Sequence, residues 1–234
     1  MSKYDPYKKQ VLETCLQLME AGFFGTRHGS AGNVSVQVDG EDTIVITPSG
    51  IKYTDLSPAD LCVLNFNGAR LEGPHEPSVE APMHLACYQH RPDVSSVIHT
   101  HQPHASAFGL INHSIPALFD EVAVAIGHVV EVVPYGLSGS NDLLENVVAK
   151  LDNRCHCYIL QNHGALCMGP SLEKTLLFAE LLEKTAMVYQ MALATGKEIT
   201  TLPEGLPLGL FQITTMRQDM EIARKAALMP AAAV

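Results

Sequence analysis

Apolar and polar positions follow two rhythms along this chain, one of about three to four residues and one of two. Residues 7–24 keep the first: Val11, Leu12, Cys15, Leu16, Leu18 and Met19 cluster on one side of a helix, and Gly22 and Gly25 stop it. Gly29-Ser-Ala-Gly-Asn33 is a glycine-rich turn, and Val34-Ser-Val-Gln-Val38 then alternates as a strand does. Asp39-Gly40 is a hairpin signal and Thr43–Thr47 the returning strand. Leu61–Phe66 is a further strand, closed by Asn67-Gly68. Ser78 opens a helix to about His90, with Pro82 near its first turn, where a missing N–H is tolerated.

The second half continues the mixture. Val94–His101 reads as a strand, 104–112 as a helix, and 115–119 and 129–134 as short strands. Ser140 caps a helix to about Leu151. Cys157–Gln161 and Ala165–Met168 are strands interrupted by Asn162-His163-Gly164, and helices cover about 171–195 and 214–228. The pattern predicts an α/β fold: a single three-layer domain over 1–234, with a mostly antiparallel central sheet, helices on both faces, and 200–234 as a C-terminal tail. Hairpin signals in the first half argue against a purely parallel sheet.

Composition narrows the partners. The 234 residues are 47% hydrophobic and 17% charged, which is globular rather than disordered. A net charge of −10, from 15 basic and 25 acidic residues, argues against general nucleic-acid binding. A small anionic ligand stays possible, because backbone amides can hold one locally. The six cysteines form no Cys-x-x-Cys pair and read as reduced core thiols. The polar start, Met-Ser-Lys-Tyr-Asp-Pro, lacks a signal-peptide core, and no run of about 18 apolar residues occurs. The expectation is a soluble, cytoplasmic protein with no membrane partner.

Candidate chemistry begins at His99-Thr-His101, at the end of an apolar run. Side chains two apart on a strand share a face, so both imidazoles aim at one point. His163 ends a similar run, and three imidazoles suit zinc or a similar first-row ion with a position left open. Such a pair also has an ordinary reading, as strand-end histidines bonded to backbone or solvent. Glu80, in Pro77-Ser-Val-Glu-Ala81, is the candidate proton carrier beside a metal, although a first-turn carboxylate is also an ordinary helix cap. His28, His75, His84, His90, His104, His113, His128 and His156 are unassigned, with His104 the best placed to support the pair.

Five motifs then occur in order: Gly32-Asn33-Val34-Ser35, Ile46-Thr-Pro-Ser-Gly50, Pro77-Ser78-x-Glu80, His99-Thr-His101 and Gln161-Asn-His163-Gly164. Over about residues 8–195 the chain resembles the class II aldolase/adducin family. The resemblance implies zinc on His99, His101 and His163, with Mn²⁺ or Co²⁺ as alternatives, and Glu80 as proton carrier and fourth ligand. It implies phosphate binding by Gly32, Asn33, Ser49, Gly50 and Ser78, a sugar-phosphate substrate, and a homotetramer with active sites between subunits. The implied reaction is cleavage of a ketose 1-phosphate such as L-fuculose 1-phosphate to dihydroxyacetone phosphate and an aldehyde, the metal acting as a Lewis acid. Decarboxylation of a hydroxy or oxo acid, and sugar-phosphate epimerisation, use the same metal set. Adducin-like interaction modules lack a complete one.

Two positions depart from the family pattern. Phosphate-specific aldolases of the family carry two adjacent serines before the glutamate, and here the second is Val79. Where the fuculose-phosphate pattern places a tyrosine as proton donor, this chain has Ala117-Leu-Phe-Asp120-Glu121. Asp120 is the candidate in its place, reaching a neighbouring subunit's site, with Glu121 beside it.

Overall fold

The protein is described here by a computed structural model covering residues 2–26 and 29–228; His28 lies outside these residues. Along the chain run α1 (Asp5–Glu20), β1 (Asn33–Gln37), β2 (Thr43–Ile46), β3 (Cys62–Asn65), β4 (Arg70–Glu72), α2 (Ala81–His90), β5 (Ser96–Thr100) and α3 (Pro103–Leu110). Then come β6 (Ile115–Pro116), α4 (Asp120–Ala125), β7 (Val129–Val133), α5 (Asn141–Val148), β8 (Cys157–Leu160), β9 (Gly164–Gly169), α6 (Leu172–Ala194) and α7 (Leu206–Leu228).

All nine strands join one sheet in the order β4-β3-β2-β1-β5-β9-β8-β7-β6. Neighbours are antiparallel except β7 and β8, whose connection passes through α5. β5 lies between β1 and β9, with Asn33 opposite His99 on one side and Leu166 opposite His99 on the other. The α/β class and the mostly antiparallel sheet covered by helices on both faces are as the pattern predicts.

Strict alternation splits the core in two. Val34, Val36, Val45, Ile98, Ile159, Ala165 and Cys167 face one side, under Leu18 of α1, Phe108 of α3, Val122 of α4 and Leu182 of α6. Ile44, Ile46, Val97, Tyr158, Leu160, Leu166 and Met168 face the other, under Met83 and Cys87 of α2 and Leu143 and Val147 of α5. His99 shares the second face with Val97. All six cysteines are buried free thiols, filling core volume as small apolar groups.

Local departures have local causes. α7 begins at Leu206, earlier than the expected 214, because Pro207 is its second residue, where no intrahelical N–H is needed. The strand expected over 115–119 shortens to Ile115–Pro116, and Asp120–Ala125 turns into a helix against α7. β4 was outside the expected set: it is a three-residue edge strand with two charged side chains, and edge strands need no alternating apolar face. Among the described residues no helix is long and apolar enough to cross a membrane.

Candidate metal centre

The centre forms where β5 ends and the β8–β9 connection turns. His99 is buried within β5, and His101 follows one residue past it. His163 sits in the turn, after Asn162 in the left-handed backbone region at φ 56°. One ligand nitrogen from each of the three lies within 4.8 Å of the other two. Gly164 makes this packing possible: a Cβ there would lie 2.1 Å from the Thr100 carbonyl oxygen and 3.0–3.2 Å from the His101 and His99 rings. Gly32 has a similar constraint, with φ 76° and a would-be Cβ 2.8 Å from the His99 carbonyl oxygen.

Hydrogen bonding fixes what His99 offers. Its Nδ1 donates to the Ala165 carbonyl at 2.9 Å, so in the neutral ring Nε2 carries a free lone pair. That lone pair faces His101 Nε2 at 3.0 Å and the Glu80 carboxylate at 3.3 Å. Glu80 also approaches His163 Nε2 at 3.4 Å, and His163 Nδ1 is buried without a partner. Acceptors converging on acceptors repel unless a cation lies among them. A tetrahedral ion holding nitrogens at about 2.0–2.1 Å spaces them by about 3.3 Å, which falls within the observed range. The donor set fits a divalent first-row ion.

Glu80 is placed differently from the sequence expectation. Ser78, Val79 and Glu80 form a turn, and α2 starts only at Ala81, with Glu80 as its N-cap. Its side chain makes no capping bond. The carboxylate instead accepts from Asn33 Nδ2 at 2.7 Å and Ser138 Oγ at 2.9 Å. Burial would raise its pKa. The His99 imidazole, the Asn33 bond, the His163 imidazole and the Ser138 bond overcome this and hold it at about 2. Burial and the neighbouring imidazoles lower His101 to about 4 and also lower His163, so both rings are neutral near pH 7, the form that can bind a cation.

Behind Glu80 runs a buried polar ladder. Glu80, His84 and Tyr88 form one stripe of α2, and Asn33 and Ser35 form one face of β1. Asn33 bonds Glu80; Ser35 Oγ bonds both His84 Nδ1 and Tyr88 OH at 2.7 Å. Complete burial lowers His84 to about 3. The ladder fixes the height of α2 on the sheet and hence the position of Glu80.

A cleft of about 240 Å³ opens over the centre, lined by Gly32, Asn33, Ser49, Gly50, Ser78, Val79, Glu80, Ser138, His101 and His163. The structure thus brings every expected anion-binding residue beside the histidines, although Asn33 Nδ2 is committed to Glu80. Val79 is exposed and packs near Gly139. Ser138 was not among the expected residues; its signal was a Pro134-Tyr-Gly-Leu-Ser-Gly-Ser140 loop directly after β7. Asp120 is exposed in the first turn of α4 and does not line this cleft. His104 does not support the pair: its ring bonds Gln190 and its backbone N–H is capped by Glu183.

Residues 9–190 match the model of the class II aldolase and adducin N-terminal domain. This chain belongs to that family. The chain is a lyase of the class II aldolase type. It is 36% identical over 196 residues to an L-fuculose phosphate aldolase of Escherichia coli K12, covering 84% of this chain and 88% of the relative. It is also 36% identical, over 181 residues, to a 5-methylthioribulose-1-phosphate/5-deoxyribulose-1-phosphate aldolase of Escherichia coli O45:K1, covering 77% and 82%. A solved L-fuculose 1-phosphate aldolase superposes with a TM-score of 0.83 at 28% identity, covering 92% of this chain and 98% of that one.

Proposed function

We propose that this class II aldolase is zinc-dependent and cleaves a ketose 1-phosphate, L-fuculose 1-phosphate being the first candidate, to dihydroxyacetone phosphate and an aldehyde. The observation carrying this reading is Glu80, whose carboxylate leaves its own helix end uncapped and faces His99 and His163. His99, His101 and His163 would hold the metal, with Glu80 within reach as a further ligand. When bound, the metal supplies Lewis-acid polarisation of the substrate's carbonyl and hydroxyl oxygens. Mn²⁺ and Co²⁺ suit the same donors.

The chain's own groups do the rest. Glu80, ionised and held by Asn33 and Ser138, takes and returns the proton at the carbon beside the carbonyl. Ser78 and the turns at Gly32-Asn33 and Ser49-Gly50 hold the phosphate at the far side of the cleft. Val79 removes one hydroxyl from that subsite, so backbone amides carry more of the anion. Val79 also favours a second reading, in which the same centre decarboxylates a hydroxy or oxo acid or epimerises a sugar phosphate. Asp120 is free on its own surface to enter a neighbour's cleft as proton donor, in a homotetramer with sites between subunits.

The deciding assay pairs metal analysis with a substrate panel. L-fuculose 1-phosphate, 5-deoxyribulose 1-phosphate and 5-methylthioribulose 1-phosphate are run against hydroxy and oxo acids. Retro-aldol release of dihydroxyacetone phosphate, lost together with the metal in His99→Ala, is the expected result. Turnover of acids alone would replace the aldolase reading with the second one. Survival of both metal and activity in His99→Ala would sink the metal assignment.

A further inference from the structure

Cleavage between the third and fourth carbons of a ketose 1-phosphate asks for two proton movements. The hydroxyl on the fourth carbon loses a proton as it becomes a carbonyl, and the third carbon gains one. Glu80 serves the third carbon; the hydroxyl needs a route of its own. Among the described residues lining the cleft, Glu80 is the one carboxylate, and Asp120 lies outside it.

Four serines line the same cleft: Ser30, Ser49, Ser78 and Ser138. Of these, Ser138 gives its hydroxyl proton to the carboxylate, Oγ to Glu80 Oε1 at 2.9 Å. Ser78 Oγ instead accepts from the Glu80 backbone N–H. A donating hydroxyl keeps its acceptor lone pairs, and Ser138 is exposed, so they remain for a group bound in the cleft. The loop that carries Ser138 is anchored along its length. Tyr135 N–H donates to Gln161 Oε1 at 3.0 Å, tying the loop to the turn that bears His163. Asn146 Nδ2 of α5 donates to the Pro134 and Tyr135 carbonyls. Gly139, at φ 75°, runs so close to Val79 that a Cβ would lie 3.0 Å from its carbonyl oxygen.

We infer that Ser138 is a catalytic residue, carrying the proton of the departing hydroxyl to Glu80. The inference rests on the aldolase reading and gives that proton a route within one chain, in place of Asp120 from a neighbouring subunit. The hydroxyl on the fourth carbon passes its proton to Ser138 Oγ while Ser138 passes its own to Glu80 Oε1. The oxygen's electron pair forms the aldehyde carbonyl. The bond between the third and fourth carbons breaks, and its electron pair moves to the third carbon and the adjoining carbonyl as the enediolate. Glu80 then delivers the proton to the third carbon, which completes dihydroxyacetone phosphate. Glu80 ends ionised and Ser138 neutral, so the circuit closes without a further acid.

Two reactions of the full metal-loaded chain test this route. One is cleavage of L-fuculose 1-phosphate. The other is exchange of the third-carbon hydrogen of dihydroxyacetone phosphate with D2O, followed by NMR, which uses Glu80 and no departing hydroxyl. In Ser138→Ala the cleavage kcat is expected to fall about 10²-fold with KM within about twofold, while exchange stays within about threefold. Ser138→Thr keeps the hydroxyl and returns cleavage to within about tenfold of the unmodified chain. Parallel loss of cleavage and exchange in Ser138→Ala overturns the inference, because the serine would then only hold Glu80. Unchanged cleavage in Ser138→Ala overturns it as well. The split appearing in Asp120→Asn and not in Ser138→Ala also overturns it and hands the proton to the neighbouring subunit. Absence of both reactions in the unmodified chain is a separate result, which sinks the aldolase reading itself.

Discussion

The two faces of the sheet are built on different principles. Under α1, α3, α4 and α6 the interface is mainly aliphatic and aromatic, with Ile98, Phe108, Ile159 and Leu182 wholly or almost wholly buried and a few polar bonds such as Ser96–Thr175 among them. Under α2 the same strands bury Asn33, Ser35, His84, Glu80 and His99, and each makes at least one directional bond. Apolar packing tolerates small shifts of volume and angle, whereas a hydrogen-bonded ladder sets one height and one rotation. The first face holds the molecule together, and the second aims a carboxylate.

That contrast predicts separable losses. The largest is Glu80→Gln, which keeps the shape of the centre and removes its base: turnover falls by about 10²–10⁴ with the fold retained, checked by kinetics beside circular dichroism. On the apolar face, Leu182→Ala costs about 3 kcal/mol in urea unfolding and leaves bound metal per chain unchanged. If metal content fell in parallel, the two faces would not be independent. Ser35→Ala strips two buried partners at once, so despite losing one atom it costs about 2 kcal/mol, and it lowers turnover by displacing α2.

A further effect is in pH. His84 and His156 have folded-state values of about 3 and about 4, below the ordinary 6.5, because burial disfavours the charged ring. Between those limits the unfolded chain binds more protons than the folded one. Stability is therefore complete above about pH 6.5 and falls with acidification, by up to about 1.4 kcal/mol per pH unit for each ring. Urea midpoints from pH 7.5 to 5.5 measure the slope, and His84→Gln should remove one histidine's share of it.

How much of this was legible follows the same division. The alternation of Val34–Val38 and the unbroken apolar run Cys157–Leu160 announced strands, the first by its period of two and the second by burial on both faces. The histidine cluster was legible too, since His99 ends a strand with His101 just past it and His163 follows a neighbouring strand. The ladder was not. Asn33 and Ser35 are two apart, and Glu80, His84 and Tyr88 four apart, but neither spacing says which helix lies on which strand. Ser138 was hidden because a Gly- and Ser-containing loop looks alike whether it meets solvent or a carboxylate. α4 was hidden because Val122 and Val124 favour strand locally, and packing against α6 and α7 selects the helix.

The central position of β5 has a consequence for the order of folding. Its partners, β1 and β9, come from distant parts of the chain, so the middle of the sheet closes only after long loops have been ordered. His99 meets His163 in that closure and not before. A chain refolding in the presence of Zn²⁺ would therefore gain its metal after most of its helical signal, and ion uptake would time the last stage of assembly.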